Sequence, residues 1–244
     1  MIVTLLVFVT IVVLVLPVAL VLIPFTLLSG NVGPLYAAGS WIARVAMRVA
    51  GIRLRIEGLE NIPPDRACIF MANHVSNLDA PALMSHLPGR TVVFLKHELL
   101  KLPIVGYAFK LADFIPVDRV GSSESAQAAV AAAERVLASG LHITTFVEGM
   151  RSLDGRMLPF KKGAFYLAKD SAAPCVPISI YGTEKIIPWG SKRIHPGVAH
   201  IVFHAPIDPA NYSTREDLSE AVRTAIASGL PEWMRNEPVD ARNQ

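Results

Sequence analysis

Hydrophobic residues fill the chain from Met1 to Leu28 almost without interruption, and no Asp, Glu, Lys or Arg occurs before Arg44. Such a run exceeds the ~20 residues a helix needs to cross the hydrocarbon core of a bilayer, and it predicts a membrane-embedded helix. Pro17 and Pro24 are expected to kink that helix, and Ser29-Gly30-Asn31-Val32-Gly33-Pro34 to end it. No Lys or Arg precedes the run, which is also longer than the ~7–15 apolar residues of a secretory signal, so it is read as retained. A second helix is expected up to about Ala50. Its Arg44 and Arg48 lie four apart on one face, with Trp41, Ile42, Val45 and Val49 elsewhere on its surface. Two readings fit this pattern: an interfacial helix, or a packing helix whose arginines face water.

After Gly51 the pattern changes. Short β-rich runs alternate with helical ones, which predicts an α/β fold: a mixed, mostly parallel sheet flanked by helices, preceded by the N-terminal membrane-embedded helical segment. The expected strands are Arg53–Glu57, Ala67–Ala72, Thr91–Leu95, His142–Val147, Cys175–Tyr181 and Ala199–His204. Helices are expected over the alanine-rich Ser122–Ser139, opened by Ser122, Ser123 and Glu124, and over Gly163–Lys169. At 244 residues the chain suits one such domain and is too short for two. The expected division is an anchoring segment over 1–50, the domain over 51–236, and a disordered tail over 237–244.

Composition agrees with this division. Apolar residues make up 52% of the chain and mean hydropathy is +0.43, high for a protein that never meets lipid. The formal charge of +3 favours anionic headgroups or phosphate-bearing substrates; no nucleic-acid partner is expected. Arg44, Arg48, Arg53 and Arg55 all follow the apolar run, so the positive-inside rule puts the domain on the cytoplasmic side of an inner or plasma membrane. Cys68 and Cys175 lie in apolar runs without metal-ligand spacing. They read as buried small residues, suited to a reducing compartment, rather than as a disulfide.

Candidate chemistry begins at Asn73-His74-Val75-Ser76-Asn77-Leu78-Asp79, directly after an expected strand. Loops at the carboxyl ends of strands hold the sites of open α/β sheets. An imidazole at His74 can take a proton from a hydroxyl, while Asp79, if the turn folds back, can accept from the other ring nitrogen. The plainer alternative is that His74 caps the loop and Asp79 caps a helix opening before Pro81. Three further blocks follow in order: Phe114-Ile115-Pro116-Val117-Asp118-Arg119, Phe146-Val147-Glu148-Gly149-Met150-Arg151-Ser152 and Val176-Pro177-Ile178-Ser179. Lys96-His97-Glu98-Leu99 and Phe160-Lys161-Lys162-Gly163 lie between and beside them.

Together these blocks, spanning about Arg53 to Ala205, resemble the successive motifs of the glycerolipid acyltransferase family, in its 1-acylglycerol-3-phosphate acyltransferase branch. The resemblance implies that His74 and Asp79 are the catalytic pair and that Arg119, Glu148, Gly149 and Arg151 line the acceptor site, with Lys96 as a further phosphate contact. Planar guanidinium groups suit a phosphate, since their donors form a fork that matches its oxygens. The implied reaction moves a fatty acyl group from acyl-CoA or acyl carrier protein to the sn-2 hydroxyl of lysophosphatidic acid, giving phosphatidic acid. No cofactor or metal is implied. The third block departs from the family pattern, which has Pro and Thr where Val147 and Met150 stand. That change bears on the acceptor and keeps glycerol 3-phosphate, another lysophospholipid and a lyso-ornithine lipid open. A membrane-anchored lipid-binding protein without turnover is the alternative from another class; binding alone would not require His74.

Other constellations fail. His97-Glu98-Leu99-Leu100-Lys101 starts like a zinc-protease helix but has Lys101 where the second histidine must stand. His195, His200 and His204 suit a solvated strand edge better than a metal site. Gly121-Ser122-Ser123-Glu124-Ser125 lacks the last glycine of a nucleophile elbow.

Overall fold

In the computed structural model residues 1–117 and 123–235 are described. The apolar run forms α1 (Ile2–Ser29), one continuous helix through both prolines, and Gly30 ends it in the left-handed conformation with its N–H donated to the Thr26 carbonyl. Helix α2 (Gly33–Val49) starts on Pro34 and turns back along α1. The domain follows with β1 (Ile52–Glu57), β2 (Ile69–Ala72), α3 (Asp79–Met84), β3 (Thr91–Lys96), α4 (Val105–Leu111), β4 (Ile115–Val117) and α5 (Ser123–Ala138). It is completed by β5 (His142–Phe146), α6 (Gly163–Ser171), β6 (Cys175–Tyr181), α7 (Thr183–Ile186), β7 (Gly197–Phe203), α8 (Arg215–Gly229) and α9 (Glu232–Arg235).

The strands form one sheet in the order β1-β7-β6-β2-β5-β3-β4. All pairings are parallel except β6 with β7, so the sheet is mixed and mostly parallel. Side chains alternate across it. Ile69 and Met71 of β2 enter a core shared with α5, α6 and α8; Cys68, Phe70 and Ala72 enter the opposite core, with α2, α3 and Val7 of α1. Both cysteines are free and buried, one in each core.

Neighbouring strands β2 and β5 send their chains to opposite faces. The chain leaving β2 enters α3, whose Ala82 and Leu83 lie in one core, whereas that leaving β5 enters α6, whose Phe165 and Leu167 lie in the other. A crevice opens where connections diverge in this way, and in open α/β sheets it is the place where ligands bind.

Three sequence expectations change. Strand β4 was not anticipated: it has three residues, includes Pro116, and occupies a sheet edge where a missing N–H is tolerated. Strand β7 is interior, between β1 and β6, so His200 and His204 do not mark a strand edge. Instead His200 stacks on Tyr181 at 4.4 Å and His204 Nε2 lies 2.7 Å from the buried Ser179 hydroxyl. Neither reading of α2 covers Arg44, which is half-buried and donates to the Ser85 carbonyl, while Arg48 is exposed. The expected start at Ser122 and the tail over 237–244 lie outside the described residues.

Buried Asn73 continues the sheet past the end of β2, donating through Nδ2 to the Ile180 carbonyl at 2.8 Å and accepting the Ile180 N–H at 2.7 Å. Asn73→Ala leaves two buried backbone groups without these partners, each costing ~1–3 kcal/mol. A loss of about 2–5 kcal/mol is expected, read as a lower denaturation midpoint in detergent; an unchanged midpoint would contradict this bracing role.

Candidate active site

The loop between β2 and α3 folds around the carboxylate of Asp79, which is fully buried. One oxygen, Oδ2, accepts the Val75 N–H at 2.7 Å and the Ser76 N–H at 2.8 Å and lies 2.8 Å from His74 Nδ1. The other, Oδ1, accepts the Thr183 hydroxyl at 2.5 Å. A charged group taken out of water is tolerable only when hydrogen-bonded in this way. Because a carboxylate only accepts, the ring proton of His74 sits on Nδ1, and its lone pair is on Nε2. The imidazole stacks on Phe146 at the end of β5, with centroids 4.0 Å apart, and its side chain keeps 13% exposure. The orienting geometry is present and the capping one is not: Asp79 is the first residue of α3, whose N-cap is Leu78 with no side-chain cap bond, and its carboxylate binds N–H groups ahead of the helix.

The chain after β5 is stitched to this loop. Val147 N–H donates to the Ala72 carbonyl at 3.1 Å and Ser152 N–H to the His74 carbonyl at 2.8 Å. Gly149 turns the chain at φ +73, where a Cβ would come within 2.9 Å of the Lys161 side chain, so a larger residue is both strained and crowded there. Arg151 is half-buried, and its guanidinium carbon lies 4.3 Å from the Trp189 ring centroid.

Glu148 is 1% exposed, and neither carboxyl oxygen meets the geometry of a hydrogen bond among the described residues. Burial holds its carboxyl well above the usual carboxylate range; the nearby backbone of His74 and Leu158 and the Arg223 guanidinium pull the other way, and the Asp79 charge adds to the rise.

The remaining site residues are farther out. Lys96, at the carboxyl end of β3 and two strands from β2, is exposed and lies 3.2 Å from Glu98. Arg119 lies outside the described residues. Single-sequence reasoning missed Thr183, Phe146 and Trp189. Thr183 is 104 positions from its partner Asp79, and nothing local marks it. Among the described residues no three His, Cys, Asp or Glu side chains converge as a metal-binding set.

Beside the loop is an apolar cavity of about 740 Å³. Val7, Ile11, Val15, Val18, Ala19 and Ile23 of α1 form one wall, and Asn77 and Leu78 bring it to the catalytic loop.

An imidazole oriented by a buried carboxylate, with no Ser, Thr or Cys among the described residues hydrogen-bonded to its Nε2, has the geometry to act as a general base toward a bound hydroxyl. A family model described as Acyltransferase matches residues 53–181, more than half of the chain, and the protein belongs to that family. Curated relatives include a chloroplastic 1-acyl-sn-glycerol-3-phosphate acyltransferase from Brassica napus, 36% identical over 72% of this chain and 50% of that protein. The 1-acyl-sn-glycerol-3-phosphate acyltransferase of Limnanthes douglasii is 30% identical over 86% of this chain and 74% of its own length, and the human alpha form 33% identical over 72% and 63%. The chain thus spans about half the length of the Brassica relative. A crystal structure of the 1-acyl-sn-glycerophosphate acyltransferase PlsC from Thermotoga maritima superposes with a TM-score of 0.84 at 26% identity, covering 97% of both chains.

The raised carboxyl of Glu148 has a signed consequence. The folded state holds this proton more tightly than the unfolded chain, so its contribution to stability is full below the unfolded glutamate value of about 4.3 and falls as pH rises toward the raised folded value. Glu148→Gln removes that slope. Melting curves from acid to neutral pH should show the variant gaining on the wild-type protein as pH rises; the reverse trend would mean that Glu148 is folded as a stabilised anion.

Proposed function

We propose that the protein transfers a fatty acyl group from an acyl thioester, carried by coenzyme A or acyl carrier protein, to the sn-2 hydroxyl of 1-acylglycerol 3-phosphate. The His74–Asp79 pair carries this reading. In the reaction His74 Nε2 takes the hydroxyl proton as that oxygen attacks the thioester carbonyl, and Asp79 stabilises the imidazolium that forms. Collapse of the tetrahedral intermediate breaks the carbon–sulfur bond, and the proton on Nε2 passes to the departing thiolate. Acyl transfer is then direct, with no acyl-enzyme. Its oxyanion calls for donors preorganised at the site, which in a loop of this kind are backbone N–H groups.

Two further observations support the substrate class. Arg151 stands on the loop stitched to His74 and offers a fork of donors for a phosphate. The cavity of about 740 Å³ is walled by hydrocarbon side chains and reaches the catalytic loop, a volume and lining suited to an acyl chain. The names of the relatives point to the same acceptor.

Location follows from α1. The helix is long and apolar enough to cross a membrane, yet from Val7 to Ile23 one face lines the cavity shared with the domain. Its other face exposes Leu5, Phe8, Val12, Val13, Leu16 and Leu20. A helix apolar on both faces, with the domain against one of them, supports lipid as the neighbour of the other. We therefore read α1 and α2 as holding the domain at the bilayer surface, where a lysophospholipid acceptor resides; the arginines after α1 support the cytoplasmic side under the positive-inside rule.

Wild-type protein supplied with labelled acyl-CoA or acyl carrier protein is expected to acylate lysophosphatidic acid in preference to glycerol 3-phosphate, other lysophospholipids and lyso-ornithine lipid. His74→Ala should lower that turnover by about 10²–10⁴-fold without loss of membrane attachment. A different preferred acceptor would move the assignment within the family, and near-normal turnover in the variant would remove the general base.

A further inference from the structure

The stretch from the end of β3 through α4 carries more apolar side chains than the interior takes up. Leu100 and Phe109 face inward, onto a small core with Val93, Leu95 and Phe114. Leu99, Leu102, Ile104 and Tyr107 stay exposed. Large apolar side chains gathered on one turn in this way mark a surface that meets something apolar.

The turn is built to hold them outward. A 3-10 turn over His97–Lys101 leads into α4, and Gly106 lets the two pack closely, since a Cβ there would collide with the Leu100 carbonyl. Gly106 N–H donates to the Leu102 carbonyl and Ala108 N–H to the Ile104 carbonyl, both at 2.9 Å. Ile104 takes φ +63, a conformation rare for a β-branched residue and kept only where the surroundings impose it. A strained isoleucine is thus held at the surface.

Three observations point to lipid as the neighbour of this patch. Helix α1 packs against α4, so the patch adjoins the helix whose outer face is read above as meeting the bilayer. Leu99, Leu102 and Ile104 also line the apolar cavity, together with Ile23 of α1. Being exposed as well, they stand at its rim, and a rim in water would leave hydrocarbon walls wet. The third observation is charge. Glu98 and Asp113 lie 3.2 Å from Lys96 and 3.3 Å from Arg90, while the exposed Lys101 and Lys110 make no ion pair among the described residues. Lysine stems can lie along apolar surface with their ammonium groups among anionic headgroups.

We propose that the turn from Leu99 to Tyr107 is a second membrane-inserted element, sunk into the acyl layer beside α1, where it forms the rim at which the apolar cavity meets lipid. The proposal rests on the reading of α1 as lipid-facing. The competing occupant is a protein surface, such as that of an acyl carrier protein, which would leave the turn in water when only lipid is supplied.

The test introduces single cysteines into the full-length protein as Tyr107→Cys, Leu102→Cys, Leu16→Cys in α1 and Thr224→Cys in α8. Each variant is labelled with an environment-sensitive fluorophore and reconstituted in vesicles of mixed zwitterionic and anionic phospholipid. Cys68 and Cys175 are fully buried, so the label goes to the introduced thiol. Position 107 is the main reporter, because Tyr107 does not line the cavity and a label there cannot read the cavity in place of lipid. Its emission is expected to shift to the blue on reconstitution and to lose quenching by a water-soluble paramagnetic ion. Spin-labelled acyl chains should quench it, most strongly with the spin ~5–10 Å into the headgroup and acyl boundary. The label at position 102 should behave alike, and it keeps the test decisive if Tyr107→Cys fails to fold. Leu16→Cys sets the response of a lipid-facing residue, and Thr224→Cys, on the opposite face of the sheet from α1, should stay aqueous. Labels at 107 and 102 that are quenched from water and not from lipid would overturn the proposal, and a shift on adding acyl carrier protein would then assign the patch to that partner. Equal lipid quenching at position 224 would overturn it too, since the label would be seeking lipid by itself. Failure of the underlying reading is separately visible, as a label at position 16 that remains in water.

Discussion

A fully buried carboxylate organises this site. Left alone in the interior, Asp79 would cost several kcal/mol or take up a proton, and the loop from Asn73 to Asp79 is shaped so that it is not alone. The N–H groups of Val75 and Ser76, the Thr183 hydroxyl and the His74 ring all turn toward it. Through these bonds one side chain fixes three things: the curl of the loop, the position of α7 against it, and the ring nitrogen of His74 that carries the proton. The chemistry is thus a consequence of satisfying a charge that the fold has enclosed.

The rest of the structure surrounds this loop with the features that the proposed reaction uses. Connections that diverge from the neighbouring strands β2 and β5 open a crevice, and the chain after β5 bonds back to the His74 carbonyl so that Arg151 and Glu148 share the same framework. The apolar cavity lined in part by α1 reaches the same loop at Asn77 and Leu78. In the proposed reaction a hydrocarbon chain and a phosphate must meet at one hydroxyl. An apolar wall that reaches the loop and a guanidinium on the segment bonded to it suit that requirement.

Much of this was legible in sequence where the signal is local. The apolar run predicts α1, and the alternating runs predict six strands within a few residues of their observed limits: β2 and β6 are continuous buried runs, while β1 and β7 alternate between buried and more exposed positions. His74 and Asp79 could be paired from their spacing, although a helix cap explained the same spacing until the four bonds to Asp79 were seen. Helix α8 went unpredicted despite a readable signal: Thr214 and Asp217 form a reciprocal capping box ahead of Leu218, Val222 and Ile226, which are buried at helical intervals. Strand β4 was obscured by Pro116. The contacts of Thr183 and Trp189 could not be read at all, since tertiary folding alone brings them to residues far away in sequence.

The account is tested most directly at the ring nitrogens of His74. Magnetic resonance of the full-length protein in detergent, with isotope-labelled histidine nitrogens and the His74 signals assigned by their loss in a His74→Gln variant, reports which nitrogen holds the proton in the neutral ring. If Asp79 orients the base as described, the proton is on Nδ1 in the wild-type protein and Nε2 is bare, and Asp79→Asn disturbs that arrangement. A neutral ring protonated on Nε2 in the wild-type protein would contradict the account, since such a nitrogen has no lone pair with which to take the acceptor's proton.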